Sequence, residues 1–98
     1  FCIENLIASA PRGTEASFYR SSAGAEIDLI LKLPDHRLWA IEVKRTTAPK
    51  VTRGFHIASD DLAVAERLLV YAEDREVPGQ GGVRAMPLAT AMDRLRAL

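Results

Sequence analysis

Cysteine is nearly absent: Cys2 stands alone among 98 residues. No internal disulfide can form, and no cysteine-based zinc cluster is available. A reducing, cytoplasmic setting is the expectation. Histidine is scarce too, with only His36 and His56, so a histidine-rich metal site is not expected. An excess of charge of either sign is missing, since thirteen Lys and Arg balance thirteen Asp and Glu. Proteins that grip nucleic acid over their whole surface are usually basic, so this balance leaves room only for a local basic groove. No apolar run approaches a membrane span and no signal-peptide pattern is visible, so no membrane partner is expected. Repeats and low-complexity segments are also lacking.

What is present suits one small domain over residues 1–98, with 48% hydrophobic and 27% charged residues. The chain opens at Phe1 with helix-like sequence already running and no initiator Met. It is therefore expected to be a fragment of a longer protein. Ile3, Leu6, Ile7 and Ala10 fall on one helical stripe, with Glu4 at its edge, and Pro11 and Gly13 end it. Strands are expected at 16–22, 25–33, 38–44, 67–73 and 83–88. Between the third and fourth of these, Val51, Phe55, Ala58 and Leu62 repeat at helical spacing over 50–62, although Gly54 weakens that helix. The segment 76–82 reads as a loop. Thr90 with Asp93 resembles a capping box that opens a last helix with Met92, Leu95 and Leu98 inward. The order is α-β-β-β-α-β-β-α: a mixed α/β (α+β) sheet flanked by helices, whose internal helix permits a parallel crossover.

The stretch "LWAIEVKRT" (38–46) carries the chemistry. Trp39, Ile41 and Val43 share one face of a strand, and Glu42 and Lys44 share the other. In the preceding strand Ile27, Leu29, Leu31 and Leu33 alternate with Glu26, Asp28, Ile30 and Lys32. Directly opposed residues of an antiparallel pair share a face and have a constant number sum. Matching the odd-numbered apolar residues makes that sum even, which requires an odd loop length. Asp28 then opposes Glu42 or Lys44, and all three are expected on one face. Asp28 on the Trp39 face would break that expectation. Two converging carboxylates suit Mg²⁺ or Mn²⁺, and a nearby Lys can hold an attacking water or neutralise developing charge. Glu26 and Glu4 are candidate further members. Arg45, Lys50 and Arg53 follow closely and could meet a phosphate backbone. The plainer alternative is a solvated strand end with a cross-strand ion pair, which contributes little.

Asp28 followed by Glu42-Val43-Lys44, on consecutive strands after a helix bearing Glu4, resembles the PD-(D/E)xK nuclease superfamily. That resemblance implies a restriction-endonuclease-like αβββαβ core, here with an additional C-terminal strand and helix. It implies metal ligation by Asp28 and Glu42, with Glu4 adding to the site, and support of the water by Lys44. The site departs from the superfamily's name in that Ile27, not Pro, precedes Asp28. A fuller resemblance rests on "IEN", "FYR", "GAEIDLIL", "IEVKR", "APKVTRGFH" and "LLVYAED", which look like the DUF4143 domain. That family typically forms the C-terminal part of predicted bacterial and archaeal AAA+ ATPases. An upstream ATPase domain of the same protein is then the implied partner, with DNA and a second protomer as further partners. This chain holds no Walker loop, because "GQGG" (79–82) lacks the Lys and the strand-to-helix context. Two functions follow: metal-dependent phosphodiester hydrolysis of DNA, or a non-catalytic DNA- or protein-binding module that regulates the ATPase.

Overall fold

The computed structural model describes residues 1–22, 24–44, 51–71, 77–78 and 81–98. Its elements are α1 (Cys2–Ser9), β1 (Glu15–Arg20), β2 (Glu26–Lys32), β3 (Leu38–Val43), α2 (Arg53–Asp61), β4 (Glu66–Val70), β5 (Val77–Pro78), β6 (Val83–Met86) and α3 (Leu88–Arg96). The αβββαβ order expected from the periodicities is observed, followed by two strands and a helix rather than one strand and a helix. The extra strand, β5, lies inside the segment read as a loop. Gly and Pro dominate that segment's composition, but Val77 and Pro78 still pair with Ala85 and Arg84.

The strands form one mixed sheet in the order β1-β2-β3-β4-β6-β5. β1, β2 and β3 are antiparallel neighbours. β3, β4 and β6 run parallel, with α2 making the crossover from β3 to β4. The central strands are therefore covered on both faces. One layer gathers Leu29, Leu31, Trp39, Ile41, Leu68 and Val70 beneath α1 and α3, which contribute Leu6, Ala91 and Leu95. The other gathers Ile30, Ala40, Leu69, Val83 and Ala85 beneath Phe55 and Ala58 of α2. Arg67 of β4 fastens α2 to the sheet: its guanidinium lies 3.3 Å from His56 Nδ1 and pairs with the Asp60 carboxylate.

The hairpin parity holds. Leu29 pairs with Ile41, Ile30 with Ala40, Leu31 with Trp39 and Lys32 with Leu38, an even sum throughout. Leu33 N–H donates to Arg37 at 2.9 Å and closes a three-residue turn, in which His36 takes a left-handed φ of 73°. The alternation of β2 does not hold along its whole length. β1 pairs Ser17 with Ile30 but Tyr19 with Ile27, so Asp28 and Leu29 together oppose Phe18. This is a β-bulge, and it reverses the faces on its N-terminal side. Ile27 joins the α2 layer with Ile30, whereas Leu29 and Leu31 stay in the other.

Helix ends also depart from the sequence reading. α3 begins at Leu88 with Pro87 at its N-cap, so Thr90 lies inside the helix and caps nothing. The fixed φ of Pro87, −66°, already sets the chain entering the helix. Leu95 is buried as expected and Met92 packs against the core, but Leu98 is exposed, one residue beyond the C-cap. On α1 only Leu6 of the expected apolar stripe is fully buried, and Ile3 and Ile7 are exposed. For α2, Thr52 caps the first turn by accepting from Phe55 N–H at 3.1 Å.

Gly54 lies where α2 closely approaches the backbone just before β2. A Cβ there would lie 3.0 Å from the Gly24 carbonyl oxygen and 3.2 Å from Ala25 Cα. Gly54→Val should therefore destabilise by about 2–3 kcal/mol through overpacking against backbone that cannot rotate away. Gly54→Ala should come out much closer to neutral, because helix propensity returns about 1 kcal/mol. Urea denaturation of both variants checks this, and a valine variant as stable as wild type would refute the close approach.

Candidate functional site at the carboxyl end of β3

The site begins where the ladder between β2 and β3 stops. Its last pair is Leu29 with Ile41. Continuing the alternation, Val43 N–H would next donate to the Ile27 carbonyl. The bulge has turned Ile27 toward β1, where it pairs with Tyr19. Asp28 takes the vacated place: its Oδ2 accepts from Val43 N–H at 3.0 Å. The carboxylate thus enters the seam between two strands that have begun to separate.

The shared-face expectation is overturned for Asp28. The bulge puts Asp28 on the α1 side of the sheet, the Trp39 side, with Phe18 opposite it. A hollow of about 310 Å³ on that side is lined by Asp28, Glu26, Arg20, Phe18 and Ile3 of α1. Glu42 follows Leu38 and Ala40 and leaves β3 on the α2 side. Asp28 still acts on Glu42 through its charge, because its Oδ2 accepts from the main chain of the adjacent Val43.

Glu42 is also not the solvated strand end of the plainer reading. β3 is an interior strand, and only 5% of Glu42 is exposed. Burial pushes its carboxyl above the usual carboxylate range, and the negative charges of Asp28 and Glu26 add to the rise. The Lys44 ammonium opposes it, with Nζ 3.2 Å from Oε2. That contact is an ion pair without hydrogen-bond geometry. Glu42 Oε2 remains buried with no hydrogen-bond partner among the described residues. Such an oxygen is costly to leave bare.

The other expected members are spread more widely. Glu4 is exposed on α1, one residue from Ile3. Glu26 faces the hollow but pairs with Arg20 at 3.3 Å. Arg53 is exposed at the first position of α2. Lys50 and Arg45 lie outside the described residues. Among the described residues, no three of His, Cys, Asp and Glu gather closely enough to hold a metal ion. Sequence reasoning passed over Phe18 and Arg20. Phe18 is 69% exposed, with the Arg20 guanidinium 5.8 Å from its ring centre. An aromatic residue in a short strand reads as core, and nothing local marks this one as exposed.

The Asp28 bond yields a direct test of position against charge. Asp28→Ala leaves Val43 N–H without its acceptor and should cost about 1 kcal/mol. Asp28→Asn keeps an acceptor oxygen and should cost less. Chemical denaturation ranks the two, and equal losses would mean that the seam hydrogen bond contributes nothing.

Comparison with known proteins adds no activity. Two curated relatives are the uncharacterized proteins Mb2031c of Mycobacterium bovis and Rv2008c of Mycobacterium tuberculosis. Each is 33% identical over 70 residues, 71% of this chain. The chain spans 16% of the length of those relatives. No solved structure matches it. No helix among the described residues is long and apolar enough to cross a membrane. Residues 1–91, from the first helix into α3, match the family described as a domain of unknown function, DUF4143, and the chain belongs to that family.

Proposed function

We propose that this domain is a metal-dependent phosphodiesterase acting on DNA, within a longer cytoplasmic protein that also carries an ATPase module. The observation that carries the reading is the buried Glu42 oxygen left without a donor, beside an Asp28 carboxylate drawn into the same seam. Asp28 Oδ1 has no hydrogen-bond partner among the described residues. Mg²⁺ or Mn²⁺ needs only one or two carboxylates, because water and phosphate complete its shell. Asp28 and Glu42 fit that requirement and would hold the ion, with Glu4 of α1 as a further ligand. A bound divalent cation would supply positive charge at the phosphoryl group.

Lys44 is half-buried beside Glu42. Its ammonium would hold the attacking water or neutralise charge developing on the phosphate. Arg53 and Lys50 would meet the DNA backbone. Lys44→Ala should then lower turnover by about 10²–10⁴-fold while Mn²⁺ binding persists. Glu42→Ala should lose both. Calorimetric titration with Mn²⁺, together with cleavage of labelled DNA, separates these effects. A wild-type protein that neither binds Mn²⁺ nor cuts any DNA would overturn the proposal.

One observation favours a second reading, a non-catalytic module that docks DNA or protein. Lys44 already neutralises Glu42, and among the described residues no third carboxylate joins Asp28 and Glu42. In that case Lys44→Ala leaves function intact, while substitutions at Lys50 and Arg53 weaken binding.

A further inference from the structure

The two edges of the sheet are built differently. Among the described residues β5 closes one side with Val77 and Pro78, and a proline has no N–H to offer an incoming strand. β1 closes the other with six residues, Glu15–Arg20, and among the described residues its outer edge has no partner. Its centre, Ala16-Ser17-Phe18-Tyr19, is uncharged. Long exposed edges without charge or proline are templates for strand addition.

We infer that β1 pairs antiparallel with β1 of a second copy of this chain, centred on Phe18. Backbone direction fixes the permitted registers. Ser21 N–H donates inward to Ala25 at 2.8 Å, so Tyr19, Ser17 and Glu15 also face β2. Ala16, Phe18 and Arg20 turn their N–H and C=O groups outward. An antiparallel partner must meet those three with three of the same kind. The register that opposes Phe18 to Phe18, and Ala16 to Arg20, uses all of them. It places no like charges opposite one another, and Glu15 and Arg20 fall at the two rims. It also covers the apolar ring that is 69% exposed in the single chain. The edge is thus complementary to itself, which singles out a second copy over an unrelated strand.

The symmetry axis would stand perpendicular to the sheet, so both copies keep their α1 sides on the same face. Because Asp28 opposes Phe18 across the bulge, the two Asp28 residues would lie about three strand spacings apart, roughly 14 Å. Two candidate sites would then share one continuous sheet.

The test is the molar mass of the full chain in solution, by light scattering and sedimentation across a wide concentration range. Wild type is expected at twice the chain mass. Ala16→Pro removes only an outward N–H and leaves the β1–β2 ladder whole, so its mass should halve with circular dichroism unchanged. Phe18→Lys sets two ammonium groups face to face at the axis and should do the same. Ser17→Lys, which opposes Tyr19 in this register, should remain dimeric. A monomeric wild type overturns the inference, as does a dimer that survives both Ala16→Pro and Phe18→Lys. A dimer broken by Ser17→Lys but not by Phe18→Lys overturns the register and the inference with it.

Discussion

In metal-free buffer at neutral pH, Glu42→Gln should unfold at a higher temperature than the wild-type chain. Glu42 is almost fully buried, and its carboxyl sits above the usual range because burial disfavours the charge. A carboxyl raised in the folded state adds stability that is complete below its ordinary pKa and lost as pH rises through the raised value. Once pH has risen through that raised value the stability is lost, and the wild-type chain bears the cost of a buried carboxylate opposed only by the Lys44 ammonium. Gln keeps the shape without the charge. The gain should be about 1–2 kcal/mol: Gln relieves the desolvation of the buried carboxylate, and the Lys44 side chain, 34% exposed, stays solvated when its partner is gone. In a domain of this size each kcal/mol moves the midpoint by about 4–8 °C. The advantage should shrink as pH falls through the raised value toward the ordinary carboxylate range, as Glu42 takes up its proton. Added Mn²⁺ should reverse the order: saturating metal stabilises a binding-competent wild type by about 3 kcal/mol at a hundredfold excess over its dissociation constant, and it passes the Gln variant by. Thermal melts of both proteins with and without Mn²⁺, at pH 4.5 and pH 7, contain the whole test. A Gln variant that melts lower in metal-free buffer would show that Lys44 more than offsets the burial of Glu42.

That prediction depends on features of unequal visibility in the sequence. The even register between β2 and β3 was readable, because Leu29, Leu31, Trp39 and Ile41 must all face one core and only an odd turn permits it. The same parity predicted Asp28 on one face with Glu42 and Lys44, and the bulge at Asp28–Leu29 overturned that part. The route by which Asp28 arrives was hidden. β1 and β2 pair with one register near Glu15 and Lys32 and another near Arg20 and Glu26, and the mismatch forces an extra residue at Asp28–Leu29. Ile27 conceals the bulge, since an isoleucine is equally at home in either apolar layer. The burial of Glu42 was hidden for a similar reason. Its neighbour across the parallel pair, Leu69, lies twenty-seven positions further along the chain, and nothing local announces that β4 will cover that end of β3. Long-range pairing decided both points, whereas periodicity sees only one strand at a time.

The largest loss of stability should come from Phe55→Ala. Phe55 is wholly buried, and the other buried residues of α2 are Ala58 and Ser59. One aromatic side chain therefore supplies most of what this helix inserts between itself and the sheet. Its removal leaves a cavity that its small neighbours cannot fill, at a cost of about 3–5 kcal/mol. A domain of this length has only about 5–15 kcal/mol in total, so the variant should unfold at much lower urea. The substitution also reaches the candidate site. Glu42 leaves β3 on the side that α2 covers, so a loosened helix admits water to its carboxylate. Hydration relaxes the raised pKa and removes the cost that Glu42→Gln would have relieved. The two substitutions should therefore be non-additive: Gln at position 42 stabilises the wild-type background but does much less in the Phe55→Ala background. A double-mutant cycle in urea at pH 7 measures that coupling. Strict additivity would mean that α2 does not keep water from Glu42 and that the β strands alone enclose the site.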